Sequence, residues 1–378
     1  MLKAYKYRIY PNKTQTVLLN KTFGCVRYFW NLQVAIFNSY DKESNSKPKY
    51  QTSTEVRSEI KWMKEVSATA LQQKERDFDD YKKQRFSKTR KKVIRNPSFK
   101  KKSNKQSFRL SNSSFKIVEN KIKLQKIGNI KIILDRGLPE GKLMSVTISK
   151  NPSNQYFASI TIETEIKHKP KTNKEVGIDL GLKEFLVQSD DIVVPNPRYF
   201  RESQAKLARL QRYLSRKKKG SNRRRKCRLK VARLHQKITN QRDWFLHNES
   251  TRLINSYDKI VIEDLNVEGM VKNHKLAKSI SDASWSKFVS MLDYKALWYD
   301  KGVVKIGRFE PSSKTCSRCG WINKELTLKD RMFVCPNCNL SIDRDKNAAI
   351  NIKAFGVANA IRTSSKEVTN CVEMSITN

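Results

Sequence analysis

The sequence predicts a multidomain protein of mixed α+β and α/β class, and three observations carry that expectation. Strand-like alternation opens the chain and returns between residues 115 and 162, on either side of a stretch with helical periodicity. Beyond residue 175, short apolar runs alternate with longer helical patterns, the order of an α/β sheet domain. Near its end that alternation is broken by two C-x-x-C pairs.

From Leu2 to Tyr10, Tyr5, Tyr7 and Ile9 alternate with Lys6 and Arg8, which reads as a half-buried strand with a basic outer face, ended by Pro11. From about Thr14 the period changes. Leu19, Phe23, Val26, Trp30, Val34 and Phe37 step by three or four and predict an amphipathic helix. Residues 40–50 are polar and read as a loop. Helical patterning resumes over 54–86 through Val56, Ile60, Met63, Leu71, Phe78 and Tyr81, so a small helical unit is expected up to about residue 88. Residues 87–112 are strongly basic with almost no apolar pattern. Strands then return as two hairpins, one turning at Glu119-Asn120 and one at Asn151-Pro152-Ser153-Asn154. With the first strand they are expected to close a small barrel, the helical unit being an insertion in it.

Between His168 and Lys174 the composition turns to Lys, Pro, Thr and Asn, and the main boundary is placed there. Strands are expected at 176–180, 185–188, 259–265 and 303–307, with a long helical pair between the second and third and a helix over 281–299. A cysteine module and a last helix from about Asp345 follow, and the chain ends in a loose tail.

Lys plus Arg number 78 against 36 Asp plus Glu, a formal net charge of +42. Self-repulsion on that scale destabilises a compact state. It argues against an enzyme of neutral small molecules and calls for a polyanion spread over much of the surface. Hydrophobic residues are 38%, below the usual share of about 45–50% (Gly included), but aromatics at 9% oppose wholesale disorder. No stretch approaches the roughly 20 apolar residues of a membrane span. Met1-Leu2-Lys3-Ala4-Tyr5-Lys6 lacks the apolar core of a signal peptide, so a cytoplasmic location is expected.

Three carboxylates stand out. Val176-Gly177-Ile178-Asp179-Leu180-Gly181 is a short apolar strand with one acid inside it, and burying an ionised carboxylate is costly unless a cation compensates. Lys259-Ile260-Val261-Ile262-Glu263-Asp264-Leu265 repeats the pattern, with its acid at the carboxyl end where α/β sheets bind ligands. Asp343-Arg344-Asp345-Lys346-Asn347-Ala348-Ala349 puts acids at the start of a helix. Each has a plainer reading: Asp343 or Asp345 as a helix cap, Glu263 as a strand end in water, and Ile178-Asp179-Leu180-Gly181 as the opening of a sugar-kinase-like or actin-like ATPase domain. The order of strand acid, strand acid and helix acid favours convergence. Asp179, Glu263 and Asp345 together would form a hard-oxygen cage for two Mg²⁺ or Mn²⁺ ions. Two such ions about 3.5–4 Å apart activate a water and stabilise the leaving 3′ oxygen of a phosphodiester. Gly181, lacking Cβ, is expected to let backbone or substrate approach closely.

Cys316-x-x-Cys319 and Cys335-x-x-Cys338 flank fifteen residues, Gly320 to Val334, the spacing of one structural Zn²⁺ site. Four thiolates complete a tetrahedral shell and leave no position for catalysis. A redox C-x-x-C would leave the second pair unexplained. The other three of the seven cysteines, Cys25, Cys227 and Cys371, are expected to be ordinary thiols.

Leu207, Leu210 and Leu214, then Val231, Leu234 and Ile238, form two apolar helix seams around Arg216-Lys217-Lys218-Lys219-Gly220-Ser221-Asn222-Arg223-Arg224-Arg225-Lys226. No acid lies between Glu202 and Asp243. Like charges at helical spacing repel, and phosphates would relieve them, so Lys217, Lys218, Lys219, Arg223, Arg224, Arg225 and Lys226 are candidate nucleic-acid contacts that position without reading sequence. The basic stretches 88–102 and 105–109 invite the same reading.

These residues resemble TnpB, the OrfB-type protein of insertion sequences and a relative of type V CRISPR effectors. The resemblance rests on Gly177-Ile178-Asp179-Leu180-Gly181, Ile262-Glu263-Asp264-Leu265, the run from Pro311 to Gly320, Cys335-Pro336-Asn337-Cys338 and the segment from Asp343 to Ala349. The runs from Tyr7 to Gln15 and from Ser279 to Trp285 also match. Asn96-Pro97-Ser98-Phe99-Lys100-Lys101-Lys102 departs from the Gly-x-Pro-x-Phe-Lys pattern of the family. The resemblance implies a RuvC-like, RNase H-fold nuclease domain (residues 175–312 and 341–362) with a zinc-ribbon insertion (313–340). It further implies an N-terminal wedge β-barrel (1–13 and 100–174) carrying a helical recognition insertion (14–99), and a flexible tail (363–378). Asp179, Glu263 and Asp345 match the family's catalytic positions, Asp345 being taken because it directly precedes Lys346-Asn347-Ala348-Ala349. The implied activity is Mg²⁺-dependent DNA cleavage directed by a guide RNA from the transposon end, next to a short motif that Gln72 is expected to face. A protein monomer, nucleoid-associated when bound to target double-stranded DNA, is expected. The competing readings are a non-catalytic zinc-ribbon regulator and a guide-independent nuclease or transposase.

Overall fold

The structure, a computed structural model, describes residues 1–39, 48–87, 89, 93–103, 105–165, 168–327 and 329–358. The expected loop over 40–50 falls largely outside the described residues, as do part of the basic stretch 88–102, the end of the segment 341–362, the tail 363–378 and Cys371. Residues 1–165 with 228–233 form one compact unit and the remaining described residues a second.

In the first unit, β1 (Leu2–Tyr10) turns Tyr7 and Ile9 into the core. Asn12 then caps α1 (Lys13–Asn38): its Oδ1 accepts from the Gln15 backbone N–H at 2.8 Å while Gln15 Oε1 accepts from the Asn12 N–H, a reciprocal box that satisfies two orphan donors. α2 (Ser53–Glu59) begins with a second such box at Thr52, and α3 (Ala68–Phe86) follows a 3₁₀ turn over Lys61–Glu65. Trp30 of α1 meets Phe78 of α3 edge to face at 5.3 Å.

The strands β2 (Gln106–Ser111), β3 (Phe115–Val118), β4 (Lys121–Leu124), β5 (Gly128–Ile133), β6 (Lys142–Lys150) and β7 (Tyr156–Glu163) join β1 in one sheet, ordered β2-β6-β7-β1-β5-β4-β3. Both expected hairpins form; Glu119 takes the left-handed conformation (φ 50°) at the first turn and Asn154 (φ 62°) at the second. The two edge strands, β2 and β3, are separated only by the 3₁₀ turn Asn112–Ser114, so the sheet has to curl. Among the described residues no ladder joins those edges, and the expected barrel is a curled sheet instead. β2 lies inside the stretch expected to lack apolar pattern; Phe108 and Leu110, two alternating residues among many charges, bury in the core.

The second unit contains β8 (Glu175–Asp179), β9 (Glu184–Gln188), β10 (Val193–Pro195), α4 (Tyr199–Ser215), α5 (Asn222–Ser256, apart from its residues 228–233), β11 (Lys259–Glu263), α6 (Val267–Met270), α7 (Ala277–Ala283), α8 (Trp285–Tyr299), β12 (Gly302–Ile306), β13 (Met332–Val334) and β14 (Ser341–Asp343). A last helix, α9, spans residues 344–358. The sheet order is β10-β9-β8-β11-β12, with β8, β11 and β12 parallel and the other two pairings antiparallel. The single helix expected over 281–299 is broken at Ser284, whose left-handed backbone (φ 59°) separates α7 from α8. α9 crosses the sheet in near-backbone contact: a Cβ on Gly177 would lie 2.1 Å from the Ala349 carbonyl oxygen, and one on Gly356 2.3 Å from Val261 Cγ1. Among the described residues no helix is long and apolar enough to cross a membrane.

Candidate active site

β8 and β11 run side by side in parallel, with Lys259 opposite Glu175 through to Ile262 opposite Ile178. Asp179 and Glu263 therefore end neighbouring strands at the carboxyl edge of the sheet, where ligands of open α/β sheets gather. The third acid comes from α9. Asp343 precedes that helix, and its Oδ1 accepts from the backbone N–H of Asp345 (2.9 Å) and of Lys346 (3.1 Å). Asp343 is thus the exposed N-cap, and Asp345, in the first turn, is the acid whose charge reaches Asp179. Burial, then the charges of Glu263 and Asp345, push the Asp179 carboxyl from 3.8 up to about 7, against the opposing pull of Arg344 and of the Leu180 backbone N–H.

The second and third acids are each held by a side chain that sequence reasoning did not single out. Ser312 Oγ donates to Glu263 Oε1 at 2.6 Å. Arg344 donates to Asp345 Oδ1 from Nη2 (2.9 Å) and Nε (3.2 Å), and through Nη1 to the Asp330 carbonyl at 2.9 Å. Three carboxylates, one of them pushed towards protonation by the others, fit a hard dication, because such an ion removes their mutual repulsion. Gly181 lets backbone approach closely, as expected: a Cβ there would lie 2.8 Å from the Glu184 carbonyl oxygen at the tight turn into β9.

Among the described residues, only the four cysteines bring their ligand atoms within 4.8 Å of one another. Cys316 and Cys338 Sγ are 3.6 Å apart and Cys319 and Cys335 Sγ 3.5 Å. Those spacings are close to the edge of a tetrahedron with Zn–S bonds of about 2.3 Å. Hydrogen bonds from the Asn337 amide and the Trp321 backbone N–H lower the Cys319 thiol to about 6, whereas burial raises Cys338 to about 12. The module is tied to α9 by two buried amides. Asn347 Nδ2 donates to the Thr315 carbonyl at 2.7 Å and accepts from the Ser317 N–H; Asn351 Nδ2 donates to the carbonyls of Ser312 (2.7 Å) and Thr315 (2.6 Å). The available signal for this pair was two Asn four residues apart on an otherwise apolar helix face. Away from the module, burial raises the Cys25 thiol to about 11, and Cys227 is half-buried.

Of the basic candidates, Lys218, Lys219, Arg223, Arg225 and Lys226 are exposed around the turn at Gly220 (φ 85°), and Lys217 is half-buried. Arg224 differs from them. Its Nη1 donates to the carbonyls of Leu214 (2.7 Å) and Lys217 (3.1 Å), closing the end of α4. In the first unit, exposed Gln72 lines a polar cleft of about 260 Å³ together with Ser53, Thr54, Arg57, Ser58 and Lys64.

Comparison with known proteins gives these features a family. Residues 158–274 match the OrfB family of IS605 elements, described as a probable transposase; residues 285–352 match the TNB domain of Cas12f1-like proteins. Residues 1–44 match a helix-turn-helix domain, although their described part forms one strand and one long helix. A Streptomyces pristinaespiralis protein named "Putative RNA-guided DNA endonuclease" is 39% identical over 364 residues, 94% of this chain and 90% of that one. InsQ of Escherichia coli, which carries the same descriptive name, is 30% identical over 94% of this chain and 93% of its own. A solved Cas12f1–sgRNA–target DNA complex shares the fold at a TM-score of 0.55 and 13% identity, covering 93% of this chain and 98% of that one. The chain belongs to the TnpB family of OrfB-type insertion-sequence proteins.

Proposed function

We propose that the chain is an RNA-guided DNA endonuclease of an insertion sequence, with Asp179, Glu263 and Asp345 as its catalytic acids. The observation that carries the reading is the set of carboxylates at the ends of β8 and β11 and the start of α9, in which Asp179 is driven towards protonation by burial and then by its two acidic neighbours. The relatives' names support the same activity. Three strands linked antiparallel, followed by two in parallel to the first, support a RuvC-like RNase H-fold domain over 175–312 and 341–362. The sulfur spacing supports a zinc ribbon over 313–340. The curled sheet is the proposed wedge (1–13 and 100–174), its helices the recognition insertion (14–99) and the chain end (363–378) the tail.

Two Mg²⁺ or Mn²⁺ ions held by the three acids would supply the charge that activates a water and stabilises the leaving 3′ oxygen. The chain's own residues orient that cluster. Ser312 fixes one oxygen of Glu263, Arg344 holds one oxygen of Asp345, and Asp343 caps α9 so that Asp345 can face inward. Base pairing with a guide RNA reads sequence, so the protein needs mainly backbone-binding charge, which Lys217, Lys218, Lys219, Arg223, Arg225 and Lys226 supply. Gln72 and the polar cleft around it are the proposed reader of the target-adjacent motif. The working form is a protein monomer in the cytoplasm, with RNA from the transposon end and double-stranded target DNA as partners.

Sequencing the RNA that copurifies with the protein, then offering DNA matched to its 3′ segment with Mg²⁺, tests this reading. Guided cutting that is lost in Asp179→Ala while RNA stays bound is the expected result. Cutting that survives complete RNase treatment would instead point to a guide-independent nuclease, and guided binding without nicking to a regulator.

A further inference from the structure

Phe309 is the most exposed large hydrophobic side chain among the described residues, at 93%. Its position gives that exposure meaning. β12 pairs in parallel with β11 up to Glu263 opposite Ile306, so residues 307–312 leave the sheet at the same carboxyl edge as Glu263. The segment is pinned on both sides of Phe309. Arg308 Nη2 donates to Asp264 Oδ2 at 2.6 Å, and Ser312 Oγ donates to Glu263 Oε1 at 2.6 Å. Between them, the Glu310 N–H donates to the Gly307 carbonyl (3.2 Å) and the Ser312 N–H to the Glu310 carbonyl (2.8 Å). On the far side Asn351 holds the Ser312 carbonyl. An aromatic ring left in water on a rigid turn, next to an acid that the proposed function places on the scissile phosphate, has the form of a stacking platform.

We propose that Phe309 stacks on an unpaired DNA base flanking the scissile phosphate and so holds the strand over the acid cluster. The inference rests on the proposed nuclease function. A DNA strand is the occupant favoured by a net charge of +42 and by the proposed function, which puts a DNA phosphodiester at this sheet edge. Phe309 is a substrate-positioning residue, since it carries no group able to move a proton or bind a cation.

The test has two arms on the full chain with its copurified RNA. In the first, Phe309→Ala slows guided cutting by about 10- to 100-fold with target binding unchanged, and Phe309→Trp restores the rate. In the second, 2-aminopurine is scanned along the target and displaced strands in an Asp179→Ala background that cannot cut. Its fluorescence is quenched at one position beside the cut, and Phe309→Ala removes that quench. Wild-type cutting by Phe309→Ala, or a quench that survives the substitution, overturns the stacking role. Failure of the unsubstituted protein to cut at all would count against the nuclease reading, while the fluorescence arm still reads stacking by itself.

Discussion

Ser312 Oγ donates to Glu263 Oε1 over 2.6 Å, and through this bond the segment entering the cysteine module fixes the acid at the end of β11. The Ser312 carbonyl is in turn held by Asn351 of α9, so one residue links module, helix and acid. Ser312→Ala frees one oxygen of Glu263 without changing charge. Guided cleavage is expected to fall about 10- to 100-fold, as for other groups that orient metal ligands. Ser312→Thr, which keeps the hydroxyl, should recover most of the rate, and single-turnover rates with each variant check this.

Asp179 sets a pH dependence whose sign follows from its surroundings. In the folded protein its carboxyl ionises at about 7, against an ordinary value of 3.8. The folded state therefore holds a proton that the unfolded chain has released, and stability from this group is full below about 3.8 and declines as pH rises through about 7. Asp179→Asn removes the cost, so it should stabilise the Mg²⁺-free protein more at pH 8 than at pH 5, by on the order of 1 kcal/mol after solvent screening. Thermal unfolding at both pH values measures it. Mn²⁺ binding to the unsubstituted protein, followed by electron paramagnetic resonance, should tighten over the same rise in pH, because proton and cation compete for one carboxylate.

The cysteine module gives a stoichiometric prediction. Purified protein should carry one zinc per chain, and Cys335→Ser, at a fully buried ligand packed with Phe333 and Cys316, should lose it. The two β-strands of the module are three residues each, too short to hold without the metal. Loss of zinc should therefore open residues 313–343 to limited proteolysis. Elemental analysis and mapping of the cleavage sites check both statements.

Much of this was legible because its signals are local and strong. The alternation of β1 and the seam of α1 each lie within one element, the cysteine spacing lies within one short segment, and each forms as the pattern predicts. The acids were legible as isolated residues in apolar runs, but the placement of Asp179 beside Glu263 depends on β8 and β11 pairing between residues far apart in sequence (Glu175 with Lys259), which no single run records. β2 was hidden because two buried residues cannot outweigh a basic neighbourhood in a pattern count. The break at Ser284 carries no glycine or proline to announce it. Ser312, Asn347 and Asn351 were missed because their roles are hydrogen bonds to distant carbonyls and a carboxylate, fixed by tertiary placement alone. Arg224 shares its neighbours' charge, and only its reach back to α4 separates it from them.

Close approach of α9 to the sheet predicts a sharp stability effect. A Cβ at Gly177 would sit 2.1 Å from the Ala349 oxygen and 2.5 Å from the Lys353 nitrogen, both backbone atoms that can yield only if the helix moves. Gly177→Ala should cost about 3 kcal/mol and displace Asp345, which lies one turn before Ala349. Melting temperature and cleavage should fall together, whereas Gly137→Ala, where a Cβ meets nothing within 4 Å, should leave cleavage unchanged.

The basic turn between α4 and α5 separates charge from structure. Lys218, Lys219, Arg223 and Arg225 are exposed, so replacing any of them with Gln should leave the melting temperature within about a degree. If each neutralises one RNA phosphate, each replacement should reduce the slope of log affinity against log salt by about 0.7. Arg224→Gln should behave differently. It removes the side-chain donor to the Leu214 and Lys217 carbonyls, leaving the end of α4 with its backbone donors alone at a cost of about 1 kcal/mol. Guide-RNA titrations at several salt concentrations, set beside melting curves, distinguish the two behaviours. Equal salt slopes for all five variants and the unsubstituted protein would mean that the turn carries no phosphate.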